Sequence, residues 1–307
     1  MRDTFIDELS KLADADDRIM LITGDLGFGV FDKYREQHAS QFINAGVCEQ
    51  NMTMLATGMA LEGFKTFTYS IGNFPTLRCL EMIRNDAAYH EANVKIVCIG
   101  GGFSYGALGP SHHATEDLAI LRSLPNVTVV VPSTLHEVAA ATRLIAERPG
   151  TCYLRLDKSH GMEPDGVQAE FAIGRARTLR WGDDATFVVC GGILEEVVRA
   201  SERLSARGIE TSILAMGTLS PLDEEALLRA ARETSAVVTV EEHTVVGGLG
   251  GAVAEVLLER GPRPERFLRI GLRDGFSSVV GSQRYLRRHY GLDEEAIVAA
   301  TMHLLNS

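Results

Sequence analysis

Several protein classes are excluded by what this chain is short of. It has no C-x-x-C pair, and its five cysteines (Cys48, Cys79, Cys98, Cys152, Cys190) are scattered. That suits buried thiols in a reducing compartment and argues against a disulfide frame or a cysteine zinc site. No apolar run nears the roughly 20 residues that span a bilayer. Met1 to Ser10 carries acidic residues and no signal-type apolar core, so a cytoplasmic protein is expected. Positive charge is scarce: 30 Lys and Arg stand against 41 Asp and Glu, a net −11. Nucleic acid and anionic membranes are therefore poor candidates for the main partner, although a local basic pocket remains open. Solenoid-type repeats and low-complexity segments are also missing.

The remainder has ordinary globular composition, 45% hydrophobic and 23% charged over 307 residues. That length accommodates two domains of roughly 150 residues. In the first half, helical and strand patterns alternate. Ile19–Thr23 is a short apolar strand, and Glu49–Leu61 has helical spacing at Met52, Leu55, Ala56, Met59 and Ala60. Gly63 ends that helix. Pro75 to His90 is helical, and Val94 to Gly100 is a continuous apolar run of the kind found in buried parallel strands. Polar residues with Gly161, Pro164 and Gly166 then mark a linker, and a second alternating unit follows. The expectation is an α/β protein of two three-layer domains, each with a mainly parallel sheet: residues 1–160, a linker at 161–180, and 181–307.

Parallel α/β sheets bind ligands beyond the carboxyl ends of their strands. Three loops fall there: Thr23 to Gly27, Asn44 to Gln50, and the glycine-rich Gly100 to His113. Glu49 reads either as a first-turn charge facing the helix dipole or as an active-site acid. Cys48 beside it reads as small packing rather than a nucleophile. The glycine-rich stretch is either a crossover loop or a backbone that passes close to a ligand. His112 and His113 are adjacent, so they point apart, and no third ligand stands at a recognisable spacing; a proton-donating or hydrogen-bonding role suits them better than a metal. Gly248 and Gly250 form half of a dinucleotide fingerprint, with Val253 in the third glycine's place; a tight strand-to-helix turn explains them equally well.

Taken in order, "GVCEQNMTMLATGMALEG" (46–63), "IRND" (83–86), "GALGPSHHATED" (106–117) and "LRSLPNVTVVVPS" (121–133) resemble the pyrimidine-binding domain of transketolases. The second half, including "VEEHTVVGGLGGAVAE" (240–255), resembles their C-terminal domain. The resemblance covers nearly the whole chain. It implies thiamine diphosphate as cofactor, with Glu49 hydrogen-bonded to N1′ of the aminopyrimidine and so driving removal of the thiazolium C2 proton. A carboxyl group buried at a subunit interface can share a proton with a ring nitrogen. Phe74 matches an aromatic packed on that ring, with Ile71 and Leu77 standing where the family carries further aromatics. Asp25 matches an acidic residue near the cofactor, or it caps a loop. His112 matches a histidine at the substrate's reacting carbon.

Departures from the family pattern are equally specific. Leu108 stands where an acidic residue reads a sugar hydroxyl. Gly100 lies near the place of a sugar-phosphate histidine, and Gly29 near that of a serine. Arg155 matches a phosphate-binding arginine or a structural ion pair, and Arg2 matches another. A modified or carrier-linked sugar is thereby admitted as substrate. The G-D-G motif with later asparagines that holds the diphosphate through Mg²⁺ is missing, since neither "TGDLG" nor "RDGF" supplies it. The resemblance thus implies the C-terminal subunit of a split transketolase. Its partner chain would bring the diphosphate-binding domain and Mg²⁺, in a heterotetramer with two copies of each chain. Two-carbon ketol transfer between sugars is the leading activity. The alternatives are the beta subunit of a 2-oxo-acid dehydrogenase or related carboligase, a non-catalytic scaffold, and a nicotinamide-dependent oxidoreductase using the Gly248 loop.

Overall fold

The computed structural model describes residues 1–27, 29–159, 161–162, 164, 170–273 and 275–307. Among them are twelve strands: β1 (Ile19–Thr23), β2 (Phe42–Asn44), β3 (Lys65–Ile71), β4 (Val94–Ile99), β5 (Val127–Val130), β6 (Thr151–Leu156), β7 (Arg177–Arg180), β8 (Ala185–Val189), β9 (Thr211–Ala215), β10 (Thr218–Ser220), β11 (Ala236–Thr244) and β12 (Arg266–Leu272). They build two sheets, in the orders β10-β5-β6-β4-β3-β1-β2 and β12-β11-β8-β9-β7. Each sheet is parallel except at one edge, where β10 runs antiparallel to β5 and β7 antiparallel to β9. The residues of β1, β4, β5 and β6 are buried throughout, as helices on both faces of a parallel sheet require.

The helix Glu49–Leu61 keeps its expected bounds, but its buried face differs from the expected one. Glu49, Met52, Thr53, Ala56 and Thr57 face inward, whereas Met54, Leu55 and Leu61 are exposed. The hydroxyls of Thr53 and Thr57 bond back to the carbonyls four residues earlier, so these polar side chains bury at little cost. Gly63, at φ +96°, ends the helix. The segment expected as one helix from Pro75 starts later and is irregular. A 3₁₀ turn at Leu77–Cys79 leads through Leu80–Met82 into a wide π turn at Ile83–Ala88. Turns of that kind gather at functional sites.

The two halves are laced together. β10 lies in the second half of the chain, yet it closes the edge of the first sheet through Thr218↔Val130 and Ser220↔Val129. β7 lies inside the span expected as linker and forms an edge of the second sheet. Residues 165–169 of that linker are outside the described residues. One apolar core runs across both halves, from Ile22, Met52 and Ile96 to Leu214, Leu227 and Val253. No helix among the described residues is long and apolar enough to cross a membrane.

Candidate active site

β1, β2, β3, β4 and β6 run parallel, so their carboxyl ends open on one edge of the first sheet. That edge gathers the loops carrying Asp25, Glu49, Phe74, His112 and Lys158. After β2, Gly46 turns at φ +74° and Cys48 takes the N-cap position, which leaves Glu49 as the first helical residue. Its carboxylate is buried, with Gly24 of the β1 loop beside it: a Cβ on Gly24 would stand 3.5 Å from Glu49 Cγ. A carboxylate at a helix N-terminus is favoured by the dipole; here it also sits deep in the opening of the sheet edge.

Glu49 Oε2 accepts a hydrogen bond from Arg78 Nη1 at 2.7 Å. The Arg78 guanidinium carbon lies 5.0 Å from the centre of the Phe74 ring. His112 meets that ring edge-on at 5.1 Å. Glu49, Arg78, Phe74 and His112 therefore form a contiguous corner. Burial pulls the His112 pKa below its ordinary value, and the neighbouring His113 adds to this. His112 is thus a neutral imidazole at neutral pH, with Nδ1 3.0 Å from Ser111 Oγ. Arg78 carries no signal in the sequence that sets it apart from other arginines; only the fold brings it to Glu49.

Other expected site residues take more structural parts. Asp25, in the left-handed region at φ 54°, exchanges hydrogen bonds with Asn44: its amide donates to Asn44 Oδ1 at 3.0 Å, and Asn44 Nδ2 donates to Asp25 Oδ1 at 2.9 Å. Asn44 Oδ1 also accepts from Gly46 N, so the pair ties the β1 loop to the turn before Glu49. Ile71 is half-buried at the end of β3, and Leu77 and Leu108 are exposed. His113 is buried, with Nε2 3.1 Å from Gly106 O, and faces Phe103 edge-on rather than the opening.

Arg155 is fully committed to the protein interior. Nε donates to Asp117 Oδ2 at 2.9 Å, and Nη2 to the carbonyls of Ala114 and Glu242 at 2.9 and 3.1 Å. Burial opposes its charge, but the buried Asp117 outweighs this and raises its pKa. An arginine bound in this way has no fork to offer a phosphate, and the ion-pair reading of the sequence describes it. The glycine-rich stretch serves the same packing. A side chain on Gly100, at φ +104°, would collide with the Tyr105 ring, and a Cβ on Gly101 would stand 2.7 Å from the Arg155 guanidinium carbon.

Tyr105, which the sequence did not single out, points along the sheet edge. Its ring lies 6.3 Å from that of His112, and Lys158 Nζ stands 3.8 Å above it. Arg2, Tyr105 and Lys158 line a cavity of about 240 Å³ with Met1, Asp3, Ile99 and Asp157. Asp3 is paired with Arg2, and Asp157 accepts the backbone N–H groups of Ser159 and Gly192. The basic groups of the cavity are therefore offset only in part.

The Gly248 loop is closed to a dinucleotide. Glu241, buried in β11, accepts the N–H groups of Leu249 and Gly250 at 2.7 Å each. That carboxylate fills the place where a pyrophosphate would meet the helix N-terminus. Among the described residues, no group of three or more His, Cys, Asp or Glu side chains is arranged to hold a metal ion. Asp274 of the "RDGF" segment is outside the described residues.

Comparison with known proteins identifies the family. Residues 1–163 match the transketolase pyrimidine-binding domain, and 174–297 match the transketolase C-terminal domain. One of the subunits of the apulose-4-phosphate transketolase of Phocaeicola vulgatus is 34% identical over 99% of this chain and 97% of its own length. The 6-deoxy-6-sulfo-D-fructose transketolase subunit of Clostridium sp. is 37% identical over 98% of this chain and 92% of its own. A solved structure described as a split gene transketolase, inactive beta4 tetramer, superposes with a TM-score of 0.90 at 34% identity, covering 99% of this chain and 98% of that one. The chain belongs to the transketolase family, as a beta subunit of the split, two-chain form.

Proposed function

We propose that this subunit joins a partner carrying the diphosphate-binding domain, and that the pair transfers a two-carbon ketol unit from a ketose to an aldehyde, with two copies of each chain in the assembly. The observation that carries this reading is the buried Glu49 carboxylate at the mouth of its helix, linked through Arg78 to the Phe74 ring, which His112 meets edge-on. The corner fits an aminopyrimidine. Its buried carboxylate already accepts an N–H from a flat donor group, the Arg78 guanidinium, whose carbon lies 5.0 Å from the centre of the Phe74 ring. When bound, thiamine diphosphate supplies the carbon nucleophile that takes up the two-carbon unit. In this reading the diphosphate and its Mg²⁺ are held by the partner chain, because the G-D-G motif with later asparagines that binds them in the family does not occur in this sequence.

Each residue then has a local task. Glu49 would share a proton with a ring nitrogen of the cofactor through its buried carboxylate, within the low-dielectric setting of a helix start. Phe74 supports the ring by stacking, worth about 1 kcal/mol beyond burial. Neutral His112 binds a sugar oxygen near the reacting carbon, and its Nδ1 is steadied by Ser111. Asp25 and Asn44 hold the loop that shapes the pocket. The far end of the sugar reaches Tyr105, Arg2 and Lys158, which take the part closed to Arg155. Two of the relatives are named for a sugar phosphate and a sulfo-sugar, both anionic, in keeping with that basic cavity.

Val47, Met54 and Leu61 recur every seventh residue and are exposed, as is Leu77. An apolar stripe beside a half-built cofactor corner suits a subunit interface. The test is copurification of the tagged chain from its native host, followed by assay of ketol transfer and of bound cofactor. We expect a second chain bearing thiamine diphosphate and Mg²⁺, and a loss of at least about 100-fold in kcat on Glu49→Ala with assembly retained. Full activity of that variant would remove Glu49 from the mechanism; release of carbon dioxide from a 2-oxo acid would instead favour the dehydrogenase alternative.

A further inference from the structure

We propose that Arg78 is a displaceable seat-holder: in the free subunit its guanidinium occupies the place of the cofactor's aminopyrimidine, and loading requires it to swing out. This rests on the assignment of Glu49 and Phe74 to the cofactor corner. A guanidinium is planar, delocalised and rich in N–H donors. Arg78 uses those properties on the two groups assigned to the aminopyrimidine. It donates to Glu49 Oε2 at 2.7 Å and lies 5.0 Å from the Phe74 ring centre. An aminopyrimidine seated there would present its own flat face to Phe74 and a ring nitrogen to Glu49, with one proton shared between them. The two occupants compete for one carboxylate and one ring.

The partners differ in their freedom to leave. The Glu49 side chain is 4% exposed and fixed by its helix, whereas that of Arg78 is 47% exposed. Arg78 stands on a single 3₁₀ turn, Leu77–Cys79, beside the exposed Leu77. No other hydrogen bond of its side chain occurs among the described residues, in contrast to the three that pin Arg155. A half-exposed arginine regains its hydration when it moves out, so the exchange is nearly balanced. Until then it keeps the Glu49 carboxylate from being buried without a partner. The cofactor meets a site that is competent for only part of the time, and its apparent affinity falls by that fraction.

The experiment uses the assembled two-chain enzyme, stripped of cofactor, with thiamine diphosphate and Mg²⁺ as probes. Association is followed by stopped flow, and affinity by calorimetry, for the wild type, Arg78→Gln and Arg78→Ala. We expect both variants to bind about two- to tenfold faster, with Kd tightened by a similar factor. The effect of Arg78→Gln should vanish in a Glu49→Gln background, where the guanidinium has no carboxylate to hold. Weaker or unchanged binding in both variants, with melting curves like the wild type, would overturn the proposal, because Arg78 would then be a grip or a bystander. Loss of assembly in both would overturn it too, since Arg78 would then be an interface residue. A wild-type complex that takes up no cofactor at all would overturn the reading of the corner itself.

Discussion

Two arginine–carboxylate pairs in this chain share their chemistry and differ in their setting. Arg155 and Asp117 meet at 2.9 Å with side chains 4% and 0% exposed, where the loop after β4, the end of β6 and β11 of the second sheet come together. Arg78 and Glu49 meet at 2.7 Å, but the arginine is half in water. The first pair is embedded in further partners: Tyr153 donates to Asp117, and Arg155 also holds the carbonyls of Ala114 and Glu242. The second stands nearly alone. Removing a member of the first pair leaves a desolvated charge with nowhere to go, whereas the second can open and rehydrate. The number of remaining partners decides whether such a pair fixes the fold or yields to a ligand.

The largest expected effect tests the fixed side of that contrast. Arg155→Ala should cost about 3–5 kcal/mol by denaturant unfolding, because it strands Asp117 in the interior. A loss within about 1 kcal/mol would make the two pairs equivalent and undo the comparison. Next comes the cavity proposed above to receive the anionic end of the sugar. Lys158→Ala should raise KM about tenfold for an anionic sugar and leave kcat, and KM for a neutral sugar, near wild type. An equal change for both sugars would mean that Lys158 does not read the charge.

The smallest effect concerns pH. His243 is buried, which alone would lower its pKa, but Glu241 by hydrogen bond and charge, and Asp117 by charge, raise it overall. The folded protein therefore holds this proton more tightly than the unfolded chain. That stabilisation is fully present below about pH 6.5, the unfolded value, and is lost as pH rises through the raised folded value. The melting temperature should fall over that window, and His243→Gln should flatten the slope. The Arg78–Glu49 corner carries no such buried histidine, so Arg78→Gln should leave the slope intact.

The parts legible in the sequence were those set by local pattern. The apolar run at Val94 pointed to a buried parallel strand, and Glu49 was placed at a helix start because Ala45-Gly46 breaks the chain just before it. Parallel order then puts the loops after β1 to β4 on one edge, which is where the candidate site was sought. The rest depends on contacts that pattern does not encode. β10 is three residues long and has no alternation to detect. Leu55 fits an apolar helical stripe yet faces outward, because the residues actually buried include Glu49 and two threonines whose hydroxyls are satisfied along the helix. The fates of Arg78 and Arg155 turn on which carboxylate lies opposite, and in the sequence Asp117 and Glu49 are 38 and 29 residues away from Arg155 and Arg78.

The edge strand β10 also bears on how the chain matures during synthesis. The pyrimidine-binding sheet cannot close the flank of β5 until residue 220 has left the ribosome, long after its own last strand, β6, at Leu156. At roughly 5–20 residues per second, the bare rim of Val127–Val130 stays open for several seconds. An uncovered, valine-rich strand edge is an invitation to mispairing. The C-terminal half therefore acts as a late intramolecular guardian of the N-terminal one, and a truncated chain ending near residue 163 should be a poor folder even though it contains Glu49, Phe74, Arg78 and His112.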